Sequence, residues 1–79
     1  MARVLMFGAL AEAAGWRERA FDAGSLSVLR SMLSAEDAGL GERLSGPGVC
    51  AIVNTEMVRG DLPLTAADEV AFIPPVSGG

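Results

Sequence analysis

Most side chains that perform chemistry in proteins are missing from this sequence. Its 79 residues contain no His, no Tyr, no Lys and a single Cys. Ten carboxylates and one thiol cannot build a histidine-based triad, a zinc site of the usual kind or a lysine Schiff base. No metal site is therefore expected. One reactive group remains, the main-chain carboxylate of Gly79, carried on Gly78-Gly79. Glycine has no Cβ, so such a tip can lie in a channel too narrow for any other residue. In a chain with 10 glycines a terminal diglycine alone is a modest signal, and a frayed end is the default for a chain terminus. Its setting is more specific. An apolar run ending in Phe72-Ile73 is cut by Pro74-Pro75, which donate no ladder hydrogen bond, and the uncharged segment Val76-Ser77-Gly78-Gly79 follows.

The rest of the chain must position that tip. Its hydrophobic share of 51% is enough for one small domain near the lower size limit. A net charge of −4 supplies no basic patch for a phosphate backbone, so nucleic acid is not an expected partner. A positively charged groove on another protein suits it better. Cys50 has no internal partner for a disulfide, which points to a cytoplasmic protein. Residues 4–11, VLMFGALA, mimic a signal peptide behind Arg3, but Glu12 interrupts the run. It also falls far short of the ~20 residues of a membrane span, so no membrane association is expected.

Periodicity and turn residues predict a strand over 2–7, a short helix over 9–14 stopped by Gly15, and a charged edge strand over 16–21 pairing with the first. Trp16 reads as a packing residue. Ser25 caps a main helix over 26–33, whose stripe is Leu26, Leu29 and Leu33, with Arg30 facing away. A weaker helix over 35–44 carries Gly39 and Gly41, each costing about 1 kcal/mol against Ala. After the loop Ser45-Gly46-Pro47-Gly48 come strands over 49–54 and 57–58, with Cys50 read as a small buried hydrophobe. Arg59-Gly60-Asp61 reads as a surface turn. Thr65 and Asp68 have capping-box spacing before a last strand, Glu69–Ile73.

The three main strands are apolar on both faces: Val4 and Met6 oppose Leu5 and Phe7, Val49, Ala51 and Val53 oppose Cys50 and Ile52, and Val70 and Phe72 oppose Ala71 and Ile73. Such strands belong inside a sheet and need cover on both sides. One main helix covers one side. The other side then offers an apolar surface to a protein partner, unless the 35–44 segment or the loops fold over it. Phe7 or Phe72, whichever lies opposite the main helix, is the expected contact.

Three segments resemble a known family. VLMFGALAEAAG (residues 4–15), VNTEMV (53–58) and LPLTAADEVAFIPPVSGG (62–79) are similar to the opening strand and helix, the central hairpin and the closing segment of the molybdopterin synthase small-subunit family. DEVAFIPPVSGG (68–79) is the most specific of them. Ala11 stands where the family commonly has Arg, and Ala67 where it commonly has Gly. The resemblance implies an α+β, ubiquitin-like β-grasp fold, with a mixed sheet wrapped on one main helix over residues 1–75 and a flexible diglycine tail over 76–79. It implies a sulfur carrier in molybdenum cofactor biosynthesis that has no activity alone and binds no cofactor. A ubiquitin-activating-type adenylyltransferase spends ATP to adenylate Gly79, and a sulfur donor protein turns it into a thiocarboxylate. Pro75, Val76, Ser77 and Gly78 are then inserted into the large subunit of molybdopterin synthase, in a heterotetramer of two small and two large subunits. There the thiocarboxylate sulfur, a strong anionic nucleophile, goes to cyclic pyranopterin monophosphate to form the dithiolene.

Other readings remain: a thiamine-pathway sulfur carrier, a ubiquitin-like protein modifier joined to lysines through Gly79, or a structural interaction module with an inert tail. Pro74-Pro75 and the long 34–48 region favour the molybdopterin reading. The absence of Lys rules out lysine-linked chains of this protein on itself.

Overall fold

A computed structural model describes residues 1–75. The elements run β1 (Ala2–Met6), α1 (Gly8–Ala14), β2 (Glu18–Phe21), α2 (Leu26–Glu36), α3 (Ala38–Leu44), β3 (Cys50–Val53), β4 (Glu56–Val58) and β5 (Glu69–Ile73). The sheet order is β2-β1-β5-β3-β4. β5 is central, parallel to β1 and antiparallel to β3. This is the expected β-grasp, with the last strand in the middle.

Strand alternation sorts the apolar residues into two layers. Val4, Met6, Ala51, Val53, Val70 and Phe72 join the α2 stripe Leu26, Leu29 and Leu33 in the core. Fully burying one such side chain contributes about 1.5–3 kcal/mol. Helix α3 does not fold over the opposite face. Its Leu40 and Leu44 are buried in this same core, and it packs against α2 and α1. Arg30 does not face away. Its guanidinium lies 5.3 Å from the Phe72 ring centroid and donates to the Leu44 carbonyl at 3.2 Å. The long aliphatic stem lets the charged head reach that carbonyl.

Local chemistry fixes the element ends. Ser25 Oγ accepts from Val28 N at 3.2 Å, as a helix N-cap should. Asp61, from a distant loop, also accepts from Ser27 N at 2.8 Å and Ser27 Oγ at 2.9 Å. Asp37 divides α2 from α3: its N–H closes on Leu33, and its carboxylate accepts from Leu40 N. The shared cap explains why the 35–44 stretch is two helical pieces meeting at residue 37 rather than one. Gly41 sits where α3 meets α2, and a Cβ there would lie 2.2 Å from Ser34 Oγ. Trp16 packs against Phe21 with ring centroids 5.9 Å apart, and Arg19 covers both rings while paired with Glu36.

The turn before β5 is built by Asp68. Thr65 N donates to its carboxylate at 2.7 Å and Asn54 Nδ2 does so at 2.7 Å, while Asn54 Oδ1 accepts from Glu69 N at 2.9 Å. Ala67 takes this turn without a positive φ; among the described non-glycine residues only Asn54 and Thr55 have one. The residues around Thr65–Asp68 form a turn rather than a helix.

Candidate functional site

Two surfaces meet where β5 ends. The first is the sheet face away from the helices. Cross-strand register aligns Leu5, Ala71, Ile52 and Met57 in one row, with Glu18 at its β2 end. The neighbouring row pairs Ile73 with Cys50. Phe7 extends the parity of Leu5 beyond the end of β1. None of these apolar side chains belongs to the core cluster. Phe7 is 45% exposed and Met57 58% exposed. The far margin of this face is charged: Arg3 bonds Glu69 and lies 3.7 Å from Glu18. Both carboxylates hold the Arg3 guanidinium in its charged form, chiefly through the hydrogen bond it donates to Glu69.

Of the two phenylalanines expected as contact residues, Phe7 is the one on the face away from the helices. Phe72 is corrected to a core residue. It is fully buried, because even-numbered residues of β5 point toward α2. Cys50 is corrected in the opposite sense. It is half-buried on the open face rather than in the core, since the core positions of β3 are Ala51 and Val53.

The second surface is the root of the terminal segment. Phe7 N donates to the Phe72 carbonyl at 3.3 Å, the last bond between β1 and β5. Pro74 and Pro75 follow Ile73 at once. Pro74 lies against Gly8, the first residue of α1, and Pro75 against Gly48 in the loop before β3, with φ of 53° and 83°. Proline confines its own φ and the backbone of the residue before it, so Ile73-Pro74-Pro75 is a stiff extended unit. Beside it, Gly8, Ala11, Glu12, Gly15, Trp16 and Arg17 line an open cleft of about 380 Å³. Val76, Ser77, Gly78 and Gly79, the expected inserted segment and reacting position, lie outside the described residues.

Gly8 and Gly48 were not singled out from the sequence. The available signal was register: once β3 starts opposite the end of β5, the loop ahead of β3 must border the prolines. Among the described residues no cluster of potential metal ligands occurs, and no helix is long and apolar enough to cross a membrane.

Comparison with known proteins places this geometry. The ThiS family model matches residues 4–79. The chain is 38% identical over 81 residues, covering all of both proteins, to the molybdopterin synthase sulfur carrier subunit of Escherichia coli. Among solved structures it is similar to SAMP1 from Haloferax volcanii, with a TM-score of 0.81 and 26% identity over 99% of this chain and 98% of that one. It is also similar to a chain in the complex of subunits 1 and 2 of the molybdopterin-converting factor from Helicobacter pylori. There the TM-score is 0.74 and the identity 26%, over 99% and 97% of the two chains.

Proposed function

Since this chain belongs to the ThiS family, we propose that it is the sulfur carrier subunit of a molybdopterin synthase and works in the cytoplasm through the carboxylate of Gly79. The observation that carries this reading is the full-length similarity to a sulfur carrier subunit of that synthase. The family match extends to Gly79 and so includes the diglycine.

The chemistry follows from what a carboxylate lacks. It is anionic and has no good leaving group. The Gly79 carboxylate oxygen attacks the α-phosphorus of ATP in an activating enzyme of the ubiquitin-activating type, and pyrophosphate departs. The terminal sulfur of a persulfide on a donor protein displaces AMP. A thiol then cleaves the resulting acyl disulfide and releases the thiocarboxylate, whose anionic sulfur is the nucleophile delivered to cyclic pyranopterin monophosphate. The large subunit supplies the cations and acid–base groups that this chain lacks. A complex between the two subunit types of a similar protein supports a large-subunit partner, and the open face around Phe7 is the docking surface this reading assigns to it. Pro75, Val76, Ser77 and Gly78 thread the tip into the large subunit, and two small and two large subunits make up the assembly.

Intact-mass measurement tests this reading. Incubated with activating enzyme, ATP and a persulfide donor, the chain should gain the mass difference between sulfur and oxygen at its C-terminus. It should then convert cyclic pyranopterin monophosphate to a dithiolene when the large subunit is added. A chain that stays unmodified under those conditions overturns the proposal.

Similarity to SAMP1 from Haloferax volcanii, whose name denotes a small archaeal modifier protein, favours one second reading, conjugation to other proteins. Diglycine remnants on lysines of many cellular proteins after digestion would support it.

A further inference from the structure

We propose that Gly8 and Gly48 are positioning residues: they form a seat for Pro74 and Pro75 that sets the direction in which the chain leaves the domain. The inference rests on the sulfur-carrier reading for its functional consequence, though the seat itself is a matter of contacts.

The start of α1 and the loop before β3, far apart in sequence, converge on consecutive prolines. A Cβ at Gly8 would lie 3.1 Å from Pro74 Cγ, and one at Gly48 would lie 2.7 Å from Pro75 Cβ. The second distance is shorter than any relaxed carbon–carbon contact, so a side chain there must push Pro75 aside. Both glycines have positive φ, but so do Gly15 and Gly60, at 83° and 87°. A Cβ at either of those would meet nothing within 4 Å. Backbone conformation alone therefore accounts for Gly15 and Gly60. At Gly8 and Gly48 the close approach of proline is a second, separate demand.

Both sides of the seat are tied to the end of β5. Gly8 follows Phe7, whose N–H is bonded to Phe72. Gly48 is separated from β3 by Val49 alone, and Cys50 of β3 is paired with Ile73. The prolines cannot absorb a push by local rotation, because each confines its own φ and the conformation before it. A displacement at their base is carried outward. A carrier must bring one carbon to reacting distance in two different enzymes, and an error of about 1 Å there can cost 100-fold in rate.

Three single variants of the full chain test this: Gly48→Ala, Gly8→Ala, and Gly60→Ala as the control with the same backbone demand but no proline contact. Each is prepared with its C-terminal thiocarboxylate installed chemically, which removes the activation step. Sulfur transfer by the complex with the large subunit, affinity for that subunit and thermal unfolding are measured. Nuclear Overhauser contacts from Gly48 to Pro75 and from Gly8 to Pro74 are recorded in parallel.

The expected result is Gly60→Ala transferring as the parent does, and Gly48→Ala slowed about 10-fold or more in kcat. Gly8→Ala falls between them, with affinity for the large subunit kept throughout. Should Gly48→Ala not fold, Gly8→Ala carries the same comparison. A folded Gly48→Ala or Gly8→Ala that transfers sulfur as fast as Gly60→Ala overturns the role. Absence of both proline contacts in the parent protein overturns the seat. If the parent itself transfers no sulfur, the sulfur-carrier reading fails instead, and the contacts still decide whether the seat exists.

Discussion

Phe7 and Phe72 share a backbone hydrogen bond of 3.3 Å, yet their rings serve opposite faces of the sheet. Phe72 is fully buried beneath α2, whereas Phe7 is 45% exposed beside Leu5. Phe72→Ala should lower unfolding free energy by about 3–5 kcal/mol, the usual cost of removing a core phenylalanine. Phe7→Ala should shift stability by less than about 1 kcal/mol and weaken large-subunit binding by more than about 1 kcal/mol. Denaturant unfolding and titration calorimetry separate the two effects. Unchanged affinity in folded Phe7→Ala protein removes this face from the interface.

Deleting Gly79 separates chemistry from fold. The carboxylate retracts by roughly 3.5 Å, beyond reacting range, while the packed domain loses nothing. The truncated chain should melt with the parent and bind the large subunit, yet give no thiocarboxylate and no dithiolene. Product at the parent rate would falsify the carrier mechanism.

Acid should weaken the fold through two aspartates. Asp61 is held below the ordinary aspartate value chiefly by the backbone N–H of Ser27, and then by Leu62 N–H and the Ser27 hydroxyl. Asp68 is held there chiefly by the Thr65 N–H and next by Asn54. A depressed native value means that the carboxylate contribution is present above the unfolded aspartate range. It is lost as pH falls through the native values. Melting temperature should therefore be insensitive to these groups above about pH 5 and fall below about pH 4. In Asp61→Asn and Asp68→Asn the low-pH slope should be shallower. An unchanged slope in both contradicts this assignment.

Gly39 and Gly41 should respond to alanine with opposite signs. A Cβ at Gly39 meets only Asp37 Oδ1, at 3.4 Å, so Gly39→Ala should gain roughly 0.5–1 kcal/mol from helix propensity. At Gly41 the added carbon would sit 2.9 Å from Ser34 Cα. The two helices must separate, and a net loss of about 1–3 kcal/mol is expected. Urea midpoints decide both.

That contrast shows what the sequence does and does not carry. Gly39 and Gly41 look alike along the chain because propensity is local, while the approach of α3 to Ser34 is a tertiary fact. β5 was legible to the residue, since Asp68 makes a turn before it and Pro74 forbids its continuation. The central place of β5 was legible too, from apolar residues on both faces. Which face is the core was marked by only one charge per strand, Glu69 on the parity of Ala71 and Ile73 and Arg3 on that of Leu5 and Phe7, each near a strand start where a charge is tolerated on either face. That ambiguity left Phe7 and Phe72 undivided and put Cys50 on the wrong side. The meeting of Gly8 and Gly48 with the prolines depends on the pairing of β1 and β3 around β5, which no single window of sequence contains.

The central position of β5 also has a mechanical consequence. The segment that leaves Pro75 is attached to the strand with hydrogen-bonded neighbours on both sides, β1 and β3. The parallel neighbour β1 runs the same way, so the N-terminal end of the chain lies at the opposite end of the sheet. Tension between the two ends slides β5 along β1 in shear. The inter-strand bonds run across the pull and bear it together, rather than opening one at a time as they would for an edge strand peeled away. Rupture under load is governed by the unfolding rate. For the proposed carrier function, this would let the domain act as a rigid handle when its terminal segment is pulled.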